Sequence, residues 1–155
     1  MRLDIIVSNF DIITSLFIIL VGLFFVEIIR KKLLIKQSTA FIIYAWHSLF
    51  SIAYMFIGFY SRGDSSSYYL RSIDLNFKAK FGVGTDFINY IMKKLSEFFS
   101  FSLLEFFLLF GFFGTIGLLF FYSSIKIVIQ NKSIYIRRLA PLLIFLPGLN
   151  FWSSA

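Results

Sequence analysis

The sequence predicts an all-α fold, a polytopic transmembrane helical bundle with one amphipathic helix at the membrane interface. Of its 155 residues, 59% are hydrophobic and 15% are charged, whereas charged residues make up about 25% of a soluble domain. The mean hydropathy is +0.85. The apolar residues form runs that can cross a hydrocarbon core about 30 Å thick, which requires about 20 helical residues. These observations exclude an ordinary soluble globule and indicate a single transmembrane domain over residues 1–155.

Four apolar runs predict four spans, at about residues 12–29, 38–61, 102–125 and 139–155. A cationic cluster that begins at Arg30 stops the first run. Glu27 lies one helical turn before that cluster, so we expect it to snorkel or to pair locally with Arg30. The ionisable side chain of the second run is His47. We expect it to face the protein interior and bond to a neighbour, with a proton-relay role as the alternative.

The third and fourth runs differ in quality. Residues 106–125 carry no charge, and apolar residues 98–104 are expected to extend the third span beyond Glu105. Glu105 itself is expected to snorkel or to pair locally. The fourth run is short and contains Pro141 and Pro147, and no polar or charged segment anchors its far end. We therefore expect the chain to be an N-terminal fragment of a longer protein.

The positions of Lys and Arg predict the orientation of the spans. The connection between the first two spans carries four cations and no acid, and so does the connection between the last two. Cationic connections are held in the cytoplasm. The loop over residues 62–97 has mixed charge and is expected outside, together with the N-terminus. The eight cations are Arg30, Lys31, Lys32, Lys36, Lys126, Lys132, Arg137 and Arg138.

The outer loop contains an amphipathic segment. On a helical wheel, the apolar side chains of Asp86–Phe99 occupy one arc and the polar side chains occupy the other. The pattern predicts a helix that lies along the outer membrane interface with its apolar side in lipid. An ordinary amphipathic helix packed on the spans is the alternative, and it requires no function.

The charge distribution and residue usage also limit the partners. The net charge is +7, but the cations separate apolar runs and form no solvated basic face with interleaved aromatic side chains. We therefore expect membrane lipids as partners and no nucleic acid. The chain has no Cys and one His, which excludes a thiolate site and a multi-histidine site. We expect no metal and no cofactor.

The candidate catalytic residue is Asp64, which follows the second span at the outer surface. A carboxylate there can reach both lipid headgroups and water. If the protein transfers a sugar from a lipid-phosphate carrier, Asp64 can take the proton from the acceptor hydroxyl, and Arg62 or Arg71 can hold the departing phosphate. The alternative is structural, because Asp64 or a neighbouring Ser can cap a helix that runs through Tyr68 and Ile73.

Three short motifs carry a resemblance to known proteins. Asp64 precedes the pair Tyr68-Tyr69, a Gly-containing turn follows at residues 81–86, and residues 147–154 read Pro-Gly-Leu-Asn-Phe-Trp-Ser-Ser. In these motifs the chain resembles the N-terminal part of bacterial multi-pass cell-envelope proteins of the polysaccharide polymerase-like and lipid-carrier-dependent glycosyltransferase-like group.

The resemblance implies a glycosyltransferase or polymerase of envelope polysaccharide in the bacterial inner (plasma) membrane. Its partner would be a polyprenyl-phosphate-linked sugar at the outer membrane face. Asp64 would be the catalytic or acceptor-contacting acid, with Arg62, Arg71, Tyr68 and Tyr69 binding substrate. Such proteins usually have eight or more spans, so this chain by itself is expected to be inactive. The alternative is a non-catalytic small membrane protein, either an accessory subunit or a transporter component.

Overall fold

The computed structural model describes residues 9–61, 64–146, 148 and 150. Every secondary-structure element in these residues is helical, which confirms the all-α prediction for this part of the chain. The elements are α1 (Asn9–Lys32), α2 (Gln37–Ser61), α3 (Asp64–Ile73), α4 (Thr85–Phe99), α5 (Leu103–Ile129), α6 (Ile134–Leu139) and a 3₁₀ helix (Ala140–Phe145).

In the part of the chain that the structure describes, three helices are long and apolar enough to cross a membrane. The qualifying stretches are Ile12–Lys32, Gln37–Gly58 and Leu103–Ile129, with 21, 22 and 27 residues. At a rise of about 1.5 Å per residue each is at least about 30 Å long, the thickness of a hydrocarbon core. They correspond to the first three predicted spans. The fourth predicted span, residues 139–155, extends beyond the described residues and stays a prediction.

The three long helices pack against one another, and α5 contacts both α1 and α2. Two buried apolar clusters, counted over the described ranges, occupy opposite ends of this assembly. The first joins the end of α1, the start of α2 and the middle of α5, through Val26, Ala40, Ile43, Tyr44, Leu118 and Leu119. The second joins the end of α2 to α3, α4 and the start of α5, through Met55, Tyr69, Met92, Leu103, Phe106 and Phe107.

The two cation-rich connections lie at the same end of the long helices. Lys32 at the end of α1 and Lys126 near the end of α5 line one surface depression. The packed pair α3 and α4, here called the hairpin, is attached to the opposite ends of α2 and α5. This arrangement agrees with the prediction that the two cation-rich connections lie on one side of the membrane and the loop over residues 62–97 on the other. Glu27 pairs locally, as expected: Arg30 Nε donates to Glu27 Oε2 at 2.5 Å.

The predicted extension of the third span over residues 98–104 holds for residues 103–104 and is wrong for residues 98–102. Helix α4 ends at Phe99, and Ser100 adopts a left-handed conformation with φ of 54°. A new helix then begins at Leu103, with Ser102 as its N-cap. Its first turn forms a capping box with Glu105, since the Ser102 N–H donates to Glu105 Oε2 at 2.5 Å and Ser102 Oγ accepts from the Glu105 N–H at 3.4 Å. These bonds satisfy donors that a helix start leaves unpaired, so apolar content alone did not continue the helix.

Gly111 allows α5 to approach α2 closely. A Cβ built on Gly111 would lie 2.9 Å from the Cβ of Ser51, and it would meet Ser51 Oγ as well. The Ser51 Cβ is fixed to the α2 backbone, so a rotamer change cannot remove the clash. Small residues serve this purpose where helices pack inside a membrane.

Replacing Gly111 by Ala is therefore expected to destabilise the protein by about 1–3 kcal/mol through overpacking. Gly117 in the same helix is the matched control, because a Cβ there meets nothing within 4 Å. Gly117→Ala is expected to be neutral or to stabilise by up to about 1 kcal/mol through helix propensity. The free energy of unfolding of the detergent-solubilised variants measures the difference. Equal effects at both positions would contradict the close approach of α5 and α2.

Candidate functional site at the hairpin end

Helix α3 begins at Asp64, three residues after the last residue of α2, and it turns back against α2. Ser66 Oγ donates to the carbonyl oxygen of Gly58 at 2.7 Å. A Cβ on Gly58 would lie 2.8 Å from Ser65 Oγ, so the absence of a side chain there lets the two helices touch. Asp64 lies in the first turn of α3 and Arg71 in the last turn, the arrangement of charge that the helix dipole favours. The capping role of Asp64 stays a prediction.

Three predicted site residues share one face of α3. Asp64, Tyr68 and Arg71 are separated by four and then three residues, a spacing that brings side chains to the same side of a helix. Asp64 and Arg71 are exposed, and Tyr68 is half-buried. The backbone positions of Asp64 and Arg71 are about 10 Å apart along the helix axis. An acid and a guanidinium are thus available to different parts of one ligand.

The other two predicted site residues do not join this face. Tyr69 is 5% exposed and belongs to the buried cluster at the hairpin end. Its ring meets the ring of Phe106 edge-on, with 6.2 Å between centroids. Arg62 lies outside the described residues. A ligand on the Asp64 face is therefore separated from Tyr69 by the helix itself.

A small apolar cavity lies beneath Tyr68. Its volume is about 50 Å³, and its walls include Ser65, Met92, Leu103 and Phe107. Ligand sites for drug-sized molecules have volumes of about 300–1,000 Å³, so a sugar does not fit inside this cavity. Any sugar bound here must lie on the exposed face of α3.

The predicted amphipathic helix is present as α4, Thr85–Phe99, one residue longer than Asp86–Phe99. The predicted separation of a covered apolar arc from an exposed polar arc holds only in part. Asn89, Met92 and Lys93 are buried, although two of them belong to the polar arc. Phe87 and Phe98, from the apolar arc, are 42% and 79% exposed. Helix α4 thus packs on the protein and also presents an outward apolar strip.

Lys93 is a functional candidate that the sequence analysis assigned only to the polar arc. Its Nζ donates to the carbonyl oxygen of Asp74 at 2.7 Å, just beyond the end of α3. Nearby, Ser96 Oγ donates to Ser72 Oγ at 3.0 Å, and Ser72 Oγ donates to the carbonyl oxygen of Tyr69 at 2.7 Å. The sequence signal is the spacing of Lys93 and Ser96 on one side of α4, but only the packing of α3 shows that this side is covered.

His47 faces the interior, as predicted, and bonds to a neighbour. It is fully buried, and its Nδ1 lies 3.2 Å from Asn150 Oδ1. Asn150 Nδ2 donates to the carbonyl oxygens of Ile144 and Leu146 at 2.7 and 2.9 Å. Because both amide protons go to those carbonyls, Asn150 Oδ1 accepts and His47 Nδ1 carries the proton. The network ties residue 150 to the middle of α2, which supports the packing role.

Among the described residues, no group of three or more His, Cys, Asp or Glu side chains is placed to hold a metal ion. No protein-family model, curated protein or solved structure matches this chain.

Proposed function

We propose that the protein is a multi-pass protein of the bacterial inner membrane whose hairpin lies at the outer surface. The position of the cation-rich connections at one end of the long helices supports this orientation. The exposed side chains of Phe87 and Phe98, with the half-buried Ile91 on the same side of α4, lie in the outer lipid interface, where an apolar helix edge is stable. The three helices of sufficient length and apolarity cross the bilayer.

Reporter fusions test this orientation. A reporter fused after Lys36 or after Lys132 is expected to be cytoplasmic, and one fused near Gly84 is expected to be outside, because cationic connections resist translocation. Reversed signals at the three positions would put Asp64 on the cytoplasmic face and would overturn the proposal of sugar transfer at the outer membrane face.

The hairpin end acts on a polyprenyl-phosphate-linked sugar and transfers it to an acceptor hydroxyl. The observation that carries this proposal is the exposed face of α3 with Asp64, Tyr68 and Arg71. Asp64 takes the acceptor proton while the acceptor oxygen bonds to the anomeric carbon. The bond from that carbon to the phosphate oxygen breaks, and the lipid phosphate leaves with the electron pair. Arg71 binds the departing phosphate.

Deletion and restoration of the gene test the function in the source cells. Deletion is expected to abolish an envelope polysaccharide and to raise the amount of polyprenyl-linked sugar, because the donor is no longer consumed. Restoration is expected to reverse both changes. An unchanged amount of lipid-linked sugar, measured by mass spectrometry of extracted lipids, would contradict the proposed transfer.

A second candidate is a non-catalytic accessory subunit. Two observations favour it: α3 supplies one carboxylate, Asp64, and the cavity below Tyr68 is too small for a sugar. An accessory subunit is expected to co-purify with a larger enzyme of the same membrane and to support its output without any dependence on the Asp64 carboxylate.

A further inference from the structure

A second concave site lies between α3 and α4, on the side of the hairpin away from the Asp64 face. This cleft has a volume of about 250 Å³. The polar part of its lining includes Ser72, Lys93, Ser96 and Ser100. This cleft is larger and more polar than the cavity below Tyr68, and its wall includes a cationic side chain, Lys93.

Lys93 is buried in the wall of this cleft, at 7% exposure. Within the described ranges no carboxylate lies within ion-pair distance of it, since Glu97, which also borders the cleft, bonds to Lys94 Nζ at 2.7 Å. That bond lowers the pKa of Glu97 and raises the pKa of Lys94, and the nearby charge of Lys93 also lowers the pKa of Glu97. A buried charge is costly unless a partner of opposite sign binds it. Lys93 therefore favours an anion in the cleft.

The neighbouring hydroxyls are already oriented. Ser96 donates to Ser72, and Ser72 donates to the carbonyl oxygen of Tyr69, so both hydroxyl protons point into the protein. An ammonium has three donors, and Lys93 directs one of them to Asp74. Two donors of Lys93 remain for an anion, and phosphate is an anion that lysine binds well as a point charge.

One edge of the cleft is apolar. Ile73 and Leu75 line it and are 44% and 94% exposed. An exposed aliphatic edge beside a buried cation matches an amphiphile with an anionic head and a hydrocarbon chain. We propose that the α3–α4 cleft binds a phosphate group at Lys93, with the chain of the lipid that carries it along Ile73 and Leu75. The inference rests on the proposed membrane position of the hairpin, and it does not depend on Asp64.

Binding of three soluble probes to the detergent-solubilised full chain tests the site. The probes are short-chain phosphatidic acid, short-chain phosphatidylcholine and inorganic phosphate. The wild type is expected to bind phosphatidic acid at least about tenfold more tightly than phosphatidylcholine, the scale of one charge-assisted hydrogen bond. If inorganic phosphate binds as tightly as phosphatidic acid, the cleft is a phosphate site, and the assignment of a lipid to it is overturned.

Lys93→Gln is expected to weaken phosphatidic acid binding at least about tenfold. Lys80→Gln is the matched control, because it removes the same charge from an exposed position that does not line the cleft, and it is expected to change the affinity less than about twofold. Equal affinities of the wild type and Lys93→Gln would overturn the proposal.

A second pair of variants keeps the test valid if Lys93→Gln fails to fold. Ser100 is exposed, borders the cleft and has a positive φ of 54°, a conformation that Asp and Asn both tolerate. Ser100→Asp places a carboxylate at the mouth and is expected to weaken phosphatidic acid binding several-fold relative to Ser100→Asn. No difference between the two would overturn the proposal. Asp64→Asn is expected to retain binding, so loss of sugar transfer and loss of phosphate binding can be told apart.

Discussion

Polysaccharide output is expected to fall at least about a hundredfold when Asp64 is replaced by Asn. In the proposed reaction, the substitution removes the base that takes the acceptor proton. It keeps the size of the side chain, and Asn is about as favourable as Asp at a helix start. Asp64 is exposed, so the change leaves no buried group unpaired. Fold and abundance are expected to survive, and the loss is expected in the yield of polysaccharide per unit of membrane-inserted protein.

Asp74→Asn is the matched control for this experiment. Asp74 is another exposed acid of the hairpin, and its Oδ1 accepts the N–H of Asn76 at 2.9 Å, a bond that Asn can also accept. Its output is expected to stay near normal. If Asp64 serves only the start of α3, the Asn variant is expected to show normal output and the Ala variant a reduced amount of protein. Normal output from a stably expressed Asp64→Asn protein would leave the accessory-subunit function as the better one.

Glu105→Ala is expected to lower the free energy of unfolding by about 3 kcal/mol, the sum of a lost cap and lost bonds to a charged group. Glu105 is 2% exposed, and its carboxylate joins α1 to the start of α5. It accepts the hydroxyl of Thr14 from α1 and the N–H of Ser102 at the start of α5. Alanine removes both acceptors from a buried position, where unpaired donors are costly.

Glu105→Gln separates the hydrogen bonds from the charge. Glutamine has an acceptor oxygen and nearly the same size, so it is expected to retain more than half of the stability that alanine loses. Thermal or denaturant unfolding of the solubilised protein, followed by helical circular dichroism, measures both variants. Alanine within about 0.5 kcal/mol of wild type would show that the carboxylate does not hold α1 to α5.

The snorkelling alternative for Glu105 was wrong, whereas local pairing described part of its role. The capping partner Ser102 lies three residues away, a spacing that can be recognised in sequence. The contact with Thr14 spans 91 residues, and no local pattern contains it. Ser100 illustrates the same limit, because its left-handed conformation ends α4 inside an apolar run that hydropathy treats as continuous.

The face formed by Asp64, Tyr68 and Arg71 follows from helical spacing once α3 is known to be a helix. The burial of Tyr69 does not follow from helical spacing. Tyr68 and Tyr69 are chemically identical neighbours, and only the position of α5 selects which of them enters the core. Lys93 was missed for a related reason. Its side of α4 is polar, and polar sides normally face water.

The sequence by itself determined the all-α class and the three segments long enough to cross a membrane, because length, apolar composition and period are local properties of the chain. It also determined that the two cation-rich connections belong at one end of the molecule. Only the tertiary structure decided the rotation of α4, the burial of Lys93 and the contact of His47 with Asn150. These three features depend on which helix surfaces meet. A surface becomes buried when a segment distant in sequence packs against it, and the local pattern of residues does not specify that segment.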